Sequence, residues 1–118
     1  MGNFLDAIVK KKILEGPESI SSDTTTEDYD ISGVENTFSV QVDYLNGVGL
    51  DMDLYLEVST NGQSFSRIDE SVQNVTDATG THIWDVSEMG VNYIRVAFVI
   101  NSGSCDIEVV EFSGKRRH

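Results

Sequence analysis

The residues able to do chemistry are few and scattered. The chain has two histidines, His82 and the terminal His118, and one cysteine, Cys105. Nucleophilic catalysis needs a histidine held by an orienting acid. Cys105, His82 and Asp106 are the one set that could supply it, but their spacing carries no local signature, and Cys105 reads more simply as a small apolar core residue. Acids at Asp51, Asp53, Asp77 and Asp85 offer oxygens of the kind calcium takes. Asp51 and Asp53, two apart on a strand, share one face, and a solvated acidic face accounts for them without a metal. Trp84, Tyr55, Tyr93 and Phe65 could line a sugar-stacking platform, although a tryptophan within an apolar strand defaults to the core. Glycine-rich phosphate cradles, zinc spacings and Walker-type loops are absent from the sequence. No catalytic, cofactor-binding or metal-binding residue is assigned, and a non-enzymatic protein that needs no cofactor is expected.

The charge distribution is more informative. Net charge is −12, and six of the eight basic residues sit near the ends, as Lys10, Lys11, Lys12, Lys115, Arg116 and Arg117. Between Ile13 and Gly114 only Arg67 and Arg95 are basic, against 19 acids, so the body carries −17. Such a body repels nucleic acid and anionic membrane. The basic ends solubilise the chain, dock on an acidic surface of a neighbouring copy or partner, since segregated charge favours ordered association, or, as the least favoured reading, touch DNA by themselves.

The elements that must position these groups follow from periodicity. Residues 3–15 are predicted as a short helix, with Asn3 as N-cap, Leu5, Val9 and Ile13 recurring at i, i+4, i+8, Phe4 and Ile8 beside them, and Gly16-Pro17 as the stop. A helix so short is marginal alone, so its apolar stripe packs either on its own domain or on a neighbour. Phe4, Leu5, Ile8, Val9 and Ile13, with the six terminal cations, are therefore the candidate partner-binding residues. Residues 17–36, rich in Ser, Thr and acids, read as an extended acidic linker. From 37 to 114 the period is two. Phe38, Val40, Val42 and Tyr44 alternate with polar residues, as do Met52, Leu54, Leu56 and Val58. Asn46-Gly47 marks a turn and Asn61-Gly62 a tight hairpin. Residues 93–100 are apolar on both sides, as a central strand requires, and the alternation slips between Val109 and Val110 as a bulge would make it do. The expected fold is all-β: an antiparallel sandwich of seven or eight strands, jelly-roll or Ig-like, with a leading helix or arm and a basic tail at 115–118.

A single cysteine allows no internal disulfide and points to synthesis in a reducing cytosol. No secretory leader is legible, no apolar run is long enough to span a bilayer, and the Asn74-Val75-Thr76 sequon carries no weight in that setting.

From Phe38 to Gly114, about two-thirds of the chain, the sequence resembles a group of small structural proteins of tailed bacteriophages. The resemblance lies in FSVQVDY, LYLEVSTNGQSFSRI, GTHIWDV, YIRVAFVINSGSCDI and FSGK. Ser59, Asn61-Gly62, Phe65, Ile68, Trp84, Val86, Tyr93, Arg95 and Ser102-Gly103 fill the positions at which that group carries its turns, aromatics and strand cation. A looser similarity runs to discoidin-like sugar-binding sandwiches. The resemblance implies a virion subunit made in a bacterial cytoplasm. A capsid-decorating protein is expected first and a head–tail or tail-associated component second, with a carbohydrate-binding module as the other alternative. The implied partners are the major capsid protein, tail or adaptor proteins and further copies of the chain in a homo-oligomer. The N-terminal third has no counterpart in the pattern.

Overall fold

The computed structural model describes residues 8–87 and 90–116. Eight antiparallel strands make up almost all of it: β1 (Ile8–Ile20), β2 (Thr24–Thr25), β3 (Tyr29–Asp30), β4 (Val34–Ser59), β5 (Ser66–Arg67), β6 (Gln73–Val75), β7 (Gly80–Val86) and β8 (Tyr93–Arg116). The one helical piece among the described residues is a 3-10 turn at Asp69–Ser71.

The two long strands explain the architecture. β4 and β8 pair along their whole lengths, from Val34↔Arg116 to Ser59↔Tyr93, and both bend where the register shifts between Leu45 and Asp51. The first half of β4 also pairs with β7 and its second half with β5 and β6. The second half of β8 pairs with β1 and its first half with β2 and β3. Hydrogen bonds therefore run through one continuous sheet that folds into two layers. One layer is ordered β7, β4, β8, β1; the other is β5/β6, β4, β8, β2/β3. With each long strand counted as two, this is an eight-segment jelly-roll sandwich.

Alternation in both halves aims at one core. Phe38, Val40, Val42 and Tyr44 from one layer meet Met52, Leu54 and Leu56 from the other, and Ile94, Val96 and Phe98 meet Ile107, Val110 and Phe112. Tyr29 and Phe38 close on the Phe112 ring with centroids 5.1 and 5.4 Å away. The smallest dimension of the molecule is 20 Å, the depth of two sheets packed about 10 Å apart.

The bend is where the sequence expectation needs refinement. Asn46-Gly47 does not close a hairpin, because the segments on either side pair with β8 and not with each other. It turns the chain from one layer to the other, with Asn46 at φ 57° and Gly49 at φ 58°. Opposite, Gly103 has φ 75°, and a Cβ there would lie 2.3 Å from the Val48 and Gly49 carbonyl oxygens, so the crossing requires glycine. Asn61-Gly62 does join β4 to β5. Ser59 Oγ accepts from Gly62 N at 2.9 Å, and Asn61 Oδ1 accepts from Gln63 N at 2.8 Å. The slip near Val109 is a bulge at Glu108, since Asp43 faces Val109 while Tyr44 faces Ile107.

The leading segment is corrected more deeply. Residues 8–15, expected as helix, belong to strand β1, and Gly16-Pro17 does not end the element but lies inside it. The free edge of β8 offers a full row of backbone partners, which an isolated short helix cannot match, so tertiary pairing overrides local periodicity. Gly16 fits there because a Cβ would come 2.1 Å from the Ile107 carbonyl oxygen, and the proline is accommodated on an edge strand, inside the register shift between Glu15 and Glu18. The expected linker is likewise built into the sandwich. Pro17 to Ile20 complete β1, β2 and β3 pair with β8, and Ile20, Thr26, Ile31 and Val34 are buried.

Candidate functional site

Antiparallel register brings the two ends of the sequence to one edge of the first layer. Ile8 lies opposite Lys115, Lys10 opposite Ser113, Lys11 opposite Phe112 and Lys12 opposite Glu111, while Val34 on the other side of β8 faces Arg116. Lys10, Lys11, Lys12, Lys115 and Arg116, separated by about a hundred residues of chain, form one basic corner, and all five are exposed. Lys12 approaches Glu15 at 3.7 Å, an exposed pair of the kind worth about 0–1 kcal/mol. Among the described residues the other four cations make no ion pair, so their charge faces outward.

Immediately beside this corner the outer face of the first layer is acidic. A groove of about 380 Å³ is lined by Glu15, Asp43, Glu108 and Glu111, with Gln41 and Val109 on its floor and Lys12 at its basic end. The bulge at Glu108 adds an extra carboxylate to this face. Cationic edge and anionic groove thus adjoin on one surface.

The apolar partner-binding candidates are placed differently from expectation. Ile8, Val9 and Ile13 are half-buried in β1, and Ile13 packs with Leu14 against the chain's own core, so residues 8–16 are not a free arm. Phe4, Leu5 and Arg117 lie outside the described residues.

The other sequence candidates separate. Cys105 is 2% exposed in the core, and burial, with the Asp106 charge behind it, pushes its thiol up, away from nucleophilic use. Asp106 is held low by hydrogen bonds from Asn46 and Ser19, which occupy its two carboxylate oxygens. Asp51 and Asp53 are bridged by the amides of Asn74 and Asn101, with Asn74 Nδ2 2.8 Å from an oxygen of each. These donors hold the Asp51 carboxyl low. Asp85, on β7 of the first layer, takes a hydrogen bond from its register partner Ser39 on β4. Among the described residues no three His, Cys, Asp or Glu side chains converge as metal ligands.

The aromatic set does not form one platform either. Trp84 is 8% exposed, and its indole donates to the Ser71 carbonyl at 2.7 Å. The faces of Tyr55 and Phe65 are covered by guanidinium groups, Arg67 at 4.4 Å and Arg95 at 4.1 Å from the ring centroids. These arginines join at Glu57, which periodicity alone did not single out. Which of the 20 acids meets Arg95 depends on register.

No protein-family model matches the chain, and no curated protein matches it in sequence. Solved structures do share its fold. The crystal structure of the SPBc2 prophage-derived protein YomS superposes with a TM-score of 0.58 at 10% identity, covering 91% of each chain. A structure of infectious bursal disease virus Gt strain gives 0.50 at 10% identity, over 92% of this chain and 29% of that one. FLHE gives 0.47 at 8% identity, over 94% and 95%. At such identities the first two likenesses show the fold alone.

Proposed function

We propose that the chain is a non-enzymatic structural protein of a tailed-bacteriophage virion, foremost a capsid-decorating subunit, that works by docking on neighbouring subunits. The observation that carries this reading is the basic corner assembled from both ends of the sequence beside an acidic groove. A surface carrying both signs in adjacent patches complements a second copy related by rotation or translation, and it complements an acidic face on another virion protein. The sequence resemblance over residues 38–114 supports the phage assignment, as does a prophage-derived protein with the same fold over nine-tenths of both chains.

The body's charge of −17 argues for protein partners over nucleic acid. Binding would come from many weak contacts. Each basic side chain contributes little alone, but repetition around a symmetric shell multiplies the gain. A head–tail or tail-associated position would use the same surface.

Two measurements test this. Mass spectrometry of particles produced from the encoding phage or prophage should find the chain at a fixed stoichiometry to the shell protein, and its absence from particles sinks the reading. A Lys10→Glu, Lys11→Glu, Lys115→Glu variant should fold normally yet incorporate poorly, with the deficit largest at low salt because exposed charges are screened beyond about 10 Å at 0.1 M.

A further inference from the structure

Among the described residues one sheet edge is left open while the others are blunted. At the far side of the first layer β1 carries three consecutive lysines, Pro17 and two register shifts, features that discourage strand addition. In the second layer the edges are pieces of two or three residues, β2 and β3 on one side and β5 and β6 on the other. Strand β7 differs. It is seven residues long and pairs with β4 from Phe38↔Val86 to Tyr44↔Gly80 without a register shift. It contains no lysine, arginine or proline. Among the described residues β4 is its one strand partner, so the other side of its backbone is open.

The side chains along this edge are apolar where solvent would favour charge. Ile83, at the middle of β7, is 51% exposed on the outer face between Thr81 and Asp85. The bond from the Trp84 indole to the Ser71 carbonyl ties β7 to the segment leading into β6, and the next residue, Val72, is 45% exposed. Two of the three exposed large hydrophobic residues among those described therefore stand on this side of the sandwich. The third, Val48, is at the bend.

We infer that β7 pairs edge to edge with β7 of a second copy, antiparallel about a two-fold axis at Ile83. The strand matches itself in that register. Ile83 meets Ile83 of the second copy, Thr81 meets Asp85 and His82 meets Trp84, so no like charges face each other. The two Asp85 carboxylates fall about 13 Å apart along the strands, beyond the screening length of about 10 Å at 0.1 M salt. Pairing consumes the open edge of both copies, and the edges left are the blunted ones, so association stops at two. A strand from an unlike partner would have no such match to select its register. The interface belongs to the small class, below about 1,200 Å², so the dimer forms only as concentration rises. The basic corner lies at the opposite edge of the layer, and the pairing does not rest on the assembly reading.

Sedimentation velocity of the intact chain should show a monomer–dimer equilibrium that moves towards dimer with concentration. Ile83→Lys sets two like charges opposite each other and should weaken the dimer by about tenfold or more. Because the side chain is on the surface, the melting temperature of the variant should match the parent's where both are monomeric. Lys11→Glu should leave the dimer unchanged, which separates this contact from the basic corner. A second experiment fixes the register. Ile83→Cys should form an interchain disulfide under mild oxidation, since directly opposed Cβ atoms lie about 4.5–5.5 Å apart. Val48→Cys, at a position 70% exposed but far from the axis, should stay unbridged, and the buried Cys105 does not compete. The inference is overturned if the chain stays monomeric at every concentration, if Ile83→Lys dimerises as tightly as the parent, if Lys11→Glu weakens the dimer equally, or if Ile83→Cys bridges no faster than Val48→Cys.

Discussion

His82 shows how a single side chain can make a sandwich pH-sensitive. It lies on β7 next to Trp84, with ring centroids 4.7 Å apart and edge-to-face, and its Nε2 is buried without a hydrogen-bond partner among the described residues. Burial holds its pKa below the ordinary 6.5. A base with a folded pKa below its unfolded one takes up protons preferentially when unfolded, so its contribution is complete above the unfolded pKa. That contribution falls away as pH drops through 6.5 towards the folded value. Thermal melts from pH 7.5 to 5 should therefore show a loss of stability that His82→Phe reduces. A variant that melts in parallel with the parent across that range would show that His82 is not responsible. Core residues behave more conventionally. Phe112 touches both layers and is fully buried, so Phe112→Ala should cost about 3–5 kcal/mol by denaturant unfolding.

Among the elements, two places decide the architecture. At the bend, Gly103 combines a positive φ with a backbone crossing too close for any Cβ. Gly103→Ala should destabilise by more than the roughly 1 kcal/mol usual for glycine-to-alanine strain, because the Val48 and Gly49 carbonyls must also move. Equilibrium unfolding in urea would register the change; a cost below that figure would mean that the crossing yields easily. The second place is β1, where the structure replaces a helix with a strand. Lys12 and Glu111 face each other in register. Cysteines at both positions should therefore form an intrachain disulfide under mild oxidation, detectable by mass spectrometry without reductant. A helix over the same residues would not hold that pair in range, so a chain left unbridged would count against the strand.

For the molecule as a whole, the two layers divide the chemistry between them. The first places its basic edge against an acidic groove, a surface suited to ordered contact between subunits. The second buries Glu57 beneath two arginines and opens a small trough next to them. No helix among the described residues is long and apolar enough to cross a membrane.

How much of this was legible beforehand depends on the range of the interaction. Period-two patterning from Phe38 to Val58 and from Tyr93 to Ile100 was enough to specify antiparallel layers, the central strand and the bulge near Val109, because side-chain alternation is a local property of strands. Charge segregation was equally plain from composition by position. The edge strand over residues 8–20 was not, since its apolar spacing suits a helix as well and only the vacant side of β8 makes extension favourable. Nor could sequence alone unite Lys10 with Lys115, or Glu57 with Arg67 and Arg95. Those neighbours are chosen by register, and register is set by how two long strands cross between layers at Asn46 and Gly103.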